Sequence, residues 1–236
     1  MIFAAVLAGG IGSRMNMADM PKQFLQLGDK PLIIHTVEKF LLNPRFNMVY
    51  AGIHPDWVTY MQDIVEKYIP DELSRKLVIV PGGKDRNLTI MNVIDEIQNE
   101  YGENEEDVIV THDAVRVFVT QRIINDNIDA VLEHGACDTA IMATDTIVHT
   151  LDGKVISDIP NRAELYQGQT PQSFNMKELK DLFFSLSEEQ KQILTDACKI
   201  FVVSGKPVHL VDGDVGNFKI TTVTDYKIAK ALIGGI

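Results

Sequence analysis

Ile2-Phe-Ala-Ala-Val-Leu7-Ala-Gly9-Gly10-Ile-Gly12-Ser-Arg14, running on through Met-Asn-Met-Ala-Asp-Met to Pro21-Lys22, is an apolar strand that empties into glycines and is followed by two cations. The run from Ile2 to Leu7 has no polar residue on either face. It predicts a strand covered on both sides, as in a parallel α/β sheet. Gly9, Gly10 and Gly12 lack a Cβ, so the backbone there can turn its N–H groups toward an anion. The loop reads as a polyphosphate cradle, with Arg14 and Lys22 placed to offset negative charge that builds during phosphoryl or nucleotidyl transfer. A dinucleotide-binding turn needs Gly-x-Gly-x-x-Gly, and counting from Gly10 the third position is Met15. A P-loop needs Gly-x-x-x-x-Gly-Lys-Ser/Thr, which is also missing.

Outward from this stretch, apolar runs alternate with helical patterns. Leu32–Leu42 reads as a helix, Met48–Ile53 as a strand, Trp57–Tyr68 as a helix, Leu77–Val80 as a strand and Leu88–Glu100 as a helix. Val108–Thr111, Arg122–His134 and Asp138–Ala143 continue the order as strand, helix and strand. Such alternation predicts an α/β fold, a doubly wound, mostly parallel, Rossmann-like sheet whose ligands gather beyond the carboxyl ends of the strands. Pro81-Gly82-Gly83 and His112-Asp113 stand at two more of those ends.

Between about 144 and 174 the alternation stops, and Asp152-Gly153 between β-rich runs signals a hairpin. An isolated hairpin is marginal in water, so this protruding β-arm is expected to pack on the same arm of a second subunit as a homodimer. Helical patterns follow near Met176–Leu186 and Glu188–Val203, then a strand at Val208–Val211 and a helix near Val223–Leu232. No linker divides residues 1–236, which read as a single domain.

Hydrophobic residues make up 45% of the 236 and charged residues 23%, as in a folded globular chain. A net charge of −11 speaks against a nucleic-acid face and requires that any bound anion be held by a local group of cations. No apolar run reaches membrane-spanning length and the first residues lack a basic leader, so a cytoplasmic protein is expected. Cys137 and Cys198, without metal-ligand neighbours at close spacing, are expected as reduced thiols.

Pro81-Gly-Gly-Lys84-Asp85-Arg86-Asn87-Leu-Thr89 follows a strand and opens a helix, where glycines and free helical N–H groups can meet a base, a ribose or a phosphate. A plain turn with a helix cap explains it equally well, and its position at a strand end favours a ligand role. Asp113 offers the hard oxygen that Mg2+ or another divalent cation prefers. His112 reads as a hydrogen-bonded core residue. Arg116 either holds a phosphate or pairs with Asp113. Arg162, in the return of the arm, suits bidentate phosphate binding, and Lys219 after Gly216-Asn-Phe offers one more ammonium.

Taken together, Leu7-Ala-Gly-Gly-x-Gly-x-Arg14, Pro21-Lys22-Gln-Phe, Gly82-Gly83-x-x-Arg86, His112-Asp113-Ala-x-Arg116, Gln169-Thr170-Pro-Gln-x-Phe174, Thr195-Asp196 and Asn217-x-Lys219-Ile-Thr resemble the cytidylyltransferases that act on sugar-alcohol phosphates. The resemblance covers almost the whole chain. It implies that Arg14 and Lys22 stabilise the transition state, and that Leu7, Ala8, Gly9, Gly10 and Gly12 with the segment from Gly82 to Thr89 hold CTP. It further implies Mg2+ at Asp113, and an acceptor held by Arg162, Thr170 and Lys219 with Asp113, Arg116, Thr146 and Thr195. Arg162 and Thr146 would reach across a dimer. Val117 and Thr89 stand where the family often has proline and serine, and neither removes a charge or a hydroxyl.

The implied chemistry needs no nucleophilic side chain. An acceptor monophosphate is largely dianionic near neutral pH, its second pKa being about 6. It can attack the α-phosphorus directly, and the protein's task is electrostatic. Tyr166-Gln-Gly-Gln169, Leu194–Ile200 and Val211–Thr222 look more like the branch acting on D-ribitol 5-phosphate, whose product CDP-ribitol serves wall teichoic acid. Methylerythritol 4-phosphate is the alternative acceptor. A non-catalytic nucleotide sensor is disfavoured by the retention of Arg14, Lys22 and Lys219, and a dehydrogenase by Met15.

Overall fold

The structure is a computed structural model that describes residues 1–10 and 20–234, so Gly12 and Arg14 lie outside the described residues. The opening strand runs over Ile2–Ala8 (β1) and is covered on both faces, as its composition requires. Phe3, Ala5 and Leu7 pack into one apolar cluster, while Ala4, Val6 and Ala8 pack into another on the opposite face. This is the period of two that a strand imposes.

Beside β1 run Met48–Ile53 (β2), Leu77–Pro81 (β3), Val108–Asp113 (β4), Ala136–Met142 (β5), Tyr166–Asn175 (β6) and His209–Asp212 (β7). They form a seven-stranded sheet in the order β7-β5-β6-β4-β1-β2-β3, parallel except for β6, which is antiparallel to both neighbours. Leu32–Leu41 (α1), Val58–Tyr68 (α2) and Gln121–His134 cover one face. Arg86–Tyr101 (α3), Met176–Ser185 and Cys198–Val203 cover the other. The sheet is doubly wound and mostly parallel.

From β1 the chain first builds β2 and β3 on one side, then returns to place β4 on the other. The strand order thus reverses between β1 and β4, where a crevice opens at their carboxyl ends. Leu7 lies in register with Asp113, so the glycine loop and the end of β4 are neighbours. Asp85 caps α3 by accepting the Leu88 N–H at 2.8 Å, which starts that helix beside the crevice.

Four readings shift in the structure. His112 and Asp113 are the last residues of β4 rather than residues beyond it. The helical run expected from Glu188 to Val203 is two helices, Glu188–Gln192 and Cys198–Val203. In the gap, Asp196 accepts the Lys199 N–H at 3.0 Å, taking a backbone donor that a continuous helix would have used. Tyr166–Asn175, expected within the arm, is a strand of the central sheet, which Gly168 and Pro171 concealed at a register break between Gly168 and Gln172. What protrudes is a short hairpin, His149–Thr150 against Ile156–Asp158. Its turn is held by Asp152, whose carboxylate accepts the Lys154 and Val155 N–H groups, and by Gly153 at φ +73°. Cys137 and Cys198 are buried free thiols, and burial pushes both pKa values up.

Candidate active site

A cavity of about 400 Å3 occupies the crevice, with Gly9, Gly10, Lys22, Arg86, Asp113 and Lys219 in its wall. Residues from the first and the last fifth of the sequence therefore meet at one place. Pro21 and a turn of 3-10 helix at Lys22–Phe24 carry the first lysine, whose Nζ donates to the Ile220 carbonyl at 3.1 Å. That bond ties Lys22 to the segment bearing Lys219.

Asp113 is the electrostatic centre. Lys219 Nζ lies 2.9 Å and Arg116 Nε 3.4 Å from its Oδ2, and Arg86 Nε lies 3.5 Å from its Oδ1. Burial alone would raise the carboxyl pKa, but Arg86, Lys219 and Arg116 outweigh it and hold the group well below the usual carboxylate range. Of the two roles open for Arg116, the structure shows the pairing with Asp113. A second anchor is its Nη1, which donates to the Asn217 carbonyl at 2.9 Å.

Behind Asp113 a closed network fixes the end of β4. His112 Nε2 lies 3.1 Å from the Arg116 carbonyl, which can only accept, so Nε2 carries the proton. Its Nδ1 is then free to accept from the Thr170 hydroxyl at 2.8 Å, and Thr170 Oγ1 accepts the Asp113 N–H at 3.1 Å. Full burial pushes the His112 pKa down to about 4, against the opposing pull of the Arg116 carbonyl and Asp113. His112 is a neutral, fully buried, hydrogen-bonded core residue. Thr170 is 4% exposed, with its hydroxyl spent on this network.

The segment after β3 contributes Lys84, Asp85, Arg86 and Thr89 to the cavity wall. Here the glycines chiefly permit close approach. A Cβ on Gly9 would stand 2.9 Å from Thr89 Oγ1, and one on Gly83 would stand 2.5 Å from Leu88 Cβ. Thr89 accepts the Gly83 N–H and donates to the Asp85 carbonyl, and the Gly82 N–H is taken by Ile53. Thr89 therefore shapes the wall, and Asn87 is buried.

Gln23 is a site residue that sequence reasoning passed over, although it stood inside the quoted Pro-Lys-Gln-Phe. At 2% exposure its Nε2 donates to the Ala8 carbonyl at 2.8 Å and the Gly10 carbonyl at 3.0 Å, pinning the start of the glycine loop. Thr146, Arg162 and Thr195 are exposed and stand outside the cavity wall of their own chain. Arg162 Nη1 donates to the Thr144 carbonyl at 2.9 Å. No helix among the described residues is long and apolar enough to cross a membrane.

Known proteins resemble this chain over nearly its whole length. A ribitol-5-phosphate cytidylyltransferase of Streptococcus pneumoniae serotype 2 (strain D39) is 53% identical over 233 residues, covering 99% of each chain. The crystal structure of 4-diphosphocytidyl-2C-methyl-D-erythritol synthase from Anaerococcus prevotii superposes with a TM-score of 0.80 at 25% identity, over 99% of this chain and 98% of the other. The 2-C-methyl-D-erythritol 4-phosphate cytidylyltransferase of Francisella tularensis gives a TM-score of 0.78 at 25% identity, over 97% of each. A family model described as IspD, 2-C-methyl-D-erythritol 4-phosphate cytidylyltransferase, matches residues 2–234, and the chain belongs to that cytidylyltransferase family.

Proposed function

We propose that this protein transfers CMP from CTP to D-ribitol 5-phosphate, releasing pyrophosphate and forming CDP-ribitol. The observation that carries the reading is the convergence of Lys22, Arg86 and Lys219 on one cavity beside Asp113, in a chain of net charge −11. Cations gathered against the overall charge suit a polyphosphate. The 53% identical relative bears the ribitol 5-phosphate name, which favours that acceptor.

In the reaction an acceptor phosphate oxygen attacks the α-phosphorus of CTP. A new P–O bond forms there as the bond from the α-phosphorus to the bridging oxygen breaks, and pyrophosphate leaves with the electron pair. The acceptor dianion needs no general base. Gly9 and Gly10, held by Gln23, take the triphosphate against backbone. Lys22 and Lys219, with Arg14, oppose the charge that grows on the α-phosphate and the leaving group. Arg86 and Arg116 keep Asp113 ionised.

Asp113 would hold a divalent cation of the magnesium type in competition with Lys219, Arg116 and Arg86, whose nitrogens lie 2.9, 3.4 and 3.5 Å from its oxygens. It offers one ionised carboxylate at the cavity, and no cluster of three acidic, histidine or cysteine side chains stands together among the described residues. Mg2+ suits a lone carboxylate because it fills its other positions with water and phosphate oxygens. Bound there, it would neutralise phosphate charge and polarise the α-phosphate.

The hairpin exposes Leu151 at 86%, Val155 at 67% and Ile156 at 57%. We read this apolar tip as the contact of a homodimer that brings Arg162 and Thr146 to the partner's acceptor. The whole chain acts as one nucleotidyltransferase domain in the cytoplasm, and CDP-ribitol serves wall teichoic acid synthesis.

The test measures pyrophosphate release from CTP with each acceptor, with Mg2+ and with EDTA. Ribitol 5-phosphate is expected to give the higher kcat/KM, and EDTA to abolish turnover. The family model's own name favours methylerythritol 4-phosphate as the second reading. A higher kcat/KM with that acceptor establishes it instead, and turnover with neither overturns the assignment.

A further inference from the structure

One group of buried polar atoms lies outside the roles assigned above. On the sheet face that carries Asp113, Gln172 of β6 is in register with Asp138 of β5 on one side and with Thr111 of β4 on the other. Gln172 Nε2 donates to Asp138 Oδ1 at 3.1 Å. The other end of that amide, Oε1, is buried without a partner among the described residues, in a residue only 2% exposed. Arg86 offers Nε to Asp113, while its Nη1 and Nη2 are buried and have no partner among the described residues. The guanidinium charge lowers the pKa of Asp113 and also that of Asp138.

Unmade hydrogen bonds of this kind are rare in folded proteins, because each costs the full desolvation of the group. Here two donor nitrogens and one acceptor oxygen share that state beside a carboxylate. Asp138 itself is not sealed. It is half-buried, the Cys198 thiol also bonds its carboxylate, and a Cβ added at exposed Gly168 would stand 3.4 Å from its Oδ2, in contact with that oxygen. The charge of Asp196, next to Thr195, also raises the pKa of Asp138.

We propose that Asp138, Gln172 and Arg86 form the subsite that binds the hydroxylated carbon chain of the acceptor, with Asp138 as the specificity-determining residue. A hydroxyl is the ligand group that matches the set, since it can donate to Asp138 Oδ2 or Gln172 Oε1 and accept from an Arg86 N–H. A methyl branch at that position offers neither, and sites built to hydrogen-bond a hydroxyl discriminate strongly against analogues that lack it. The inference rests on the polyol phosphate reading above and adds to it the residues that select the polyol.

Asp138→Asn keeps an acceptor for Gln172 and replaces the second carboxylate oxygen by an amide nitrogen. Gly168→Ala narrows the approach without altering any charge. Each should raise KM for ribitol 5-phosphate about 10-fold or more, the loss of one well-placed hydrogen bond to a charged group. CTP affinity, measured by calorimetry, should change less than about 2-fold, and preference for ribitol over methylerythritol phosphate should fall by the KM factor. Circular dichroism and thermal unfolding confirm that each variant is folded. Unchanged KM and preference in folded Asp138→Asn overturn the proposal, as does an equal loss of CTP affinity. Wild-type protein is assayed in parallel with both acceptors. If it uses methylerythritol phosphate or neither, the functional reading fails on its own, and calorimetric binding of ribitol 5-phosphate to the wild type and the two variants still decides the subsite.

Discussion

Lys219 Nζ lies 2.9 Å from Asp113 Oδ2, a contact between residues 106 positions apart that only the finished fold brings together. The lysine side chain is 41% exposed and the aspartate 10%, so the ammonium covers the carboxylate from the solvent side. A phosphate entering the cavity would meet this ammonium first. Lys219→Met should therefore lower kcat by about 10²-fold or more, the usual effect of removing one preorganised electrostatic group. Binding of CTP should weaken by less than about 10-fold, since Lys22 and Arg86 remain. Steady-state kinetics set beside calorimetry check this, and equal losses in both would make Lys219 a simple binder.

Lys22 is anchored differently, through its bond to the Ile220 carbonyl. That anchor holds the ammonium beside the segment bearing Lys219, in the wall of the cavity. Lys22→Ala should lower kcat much more than it weakens CTP binding, and Lys22→Gln should behave alike because charge is what is lost. Single-turnover measurements separate chemistry from product release. A full kcat in either variant would remove Lys22 from the chemical step.

Thr170 was expected to touch the acceptor phosphate, yet its hydroxyl sits between His112 Nδ1 and the Asp113 N–H. Thr170→Val keeps the shape and leaves that buried N–H and Nδ1 unpaired. It should cost about 2–3 kcal/mol, or roughly 4–12 °C in Tm for a chain of this size. Thr170→Ser should hold its stability to within about 1 kcal/mol. Denaturant melts and calorimetry decide, and a Val variant as stable as the wild type would show that the hydroxyl bonds contribute nothing.

The parts of this molecule that were legible in its sequence share one property: the signal is local. The unbroken apolar run of β1, the alternation of strands and helices, the glycine loop and Asp152-Gly153 each declare themselves within about ten residues. Lys22, Asp113 and Lys219 were readable as one cluster because the family resemblance joined them. The strand at Tyr166–Asn175 was hidden, since Gly168 and Pro171 break its pattern and its partners lie far away in the chain. Gln23 and Asp138 were hidden for a related reason. A glutamine gains a role when two distant carbonyls converge on it, and an aspartate in a strand does so when a glutamine, an arginine and a second aspartate are folded around it.

His112 and Asp138 give the fold opposing responses to acid. Burial lowers the His112 pKa from 6.5 to about 4. Between those values the unfolded chain binds the extra proton, so stability is lost as pH falls through the window. Burial, reinforced by Asp196, raises the Asp138 pKa from 3.8 to about 6, against the pull of Gln172 and Arg86. Here the folded chain binds the extra proton, so the contribution is present at low pH and is lost as pH rises toward 6. Each shift is worth about 3 kcal/mol across its window, and from pH 6 to 4 they nearly offset. Asp138→Asn removes one side of that balance. At pH 7 the variant should be more stable than the wild type by up to about 3 kcal/mol, the burial penalty of the carboxylate being gone. On acidification from pH 6 to 4 it should lose stability more steeply than the wild type, because the loss at His112 is no longer countered. Urea denaturation of both proteins at half-unit pH steps makes the comparison, and every other carboxylate cancels in the difference. Parallel stability curves for the two proteins would show that Asp138 titrates at its ordinary value.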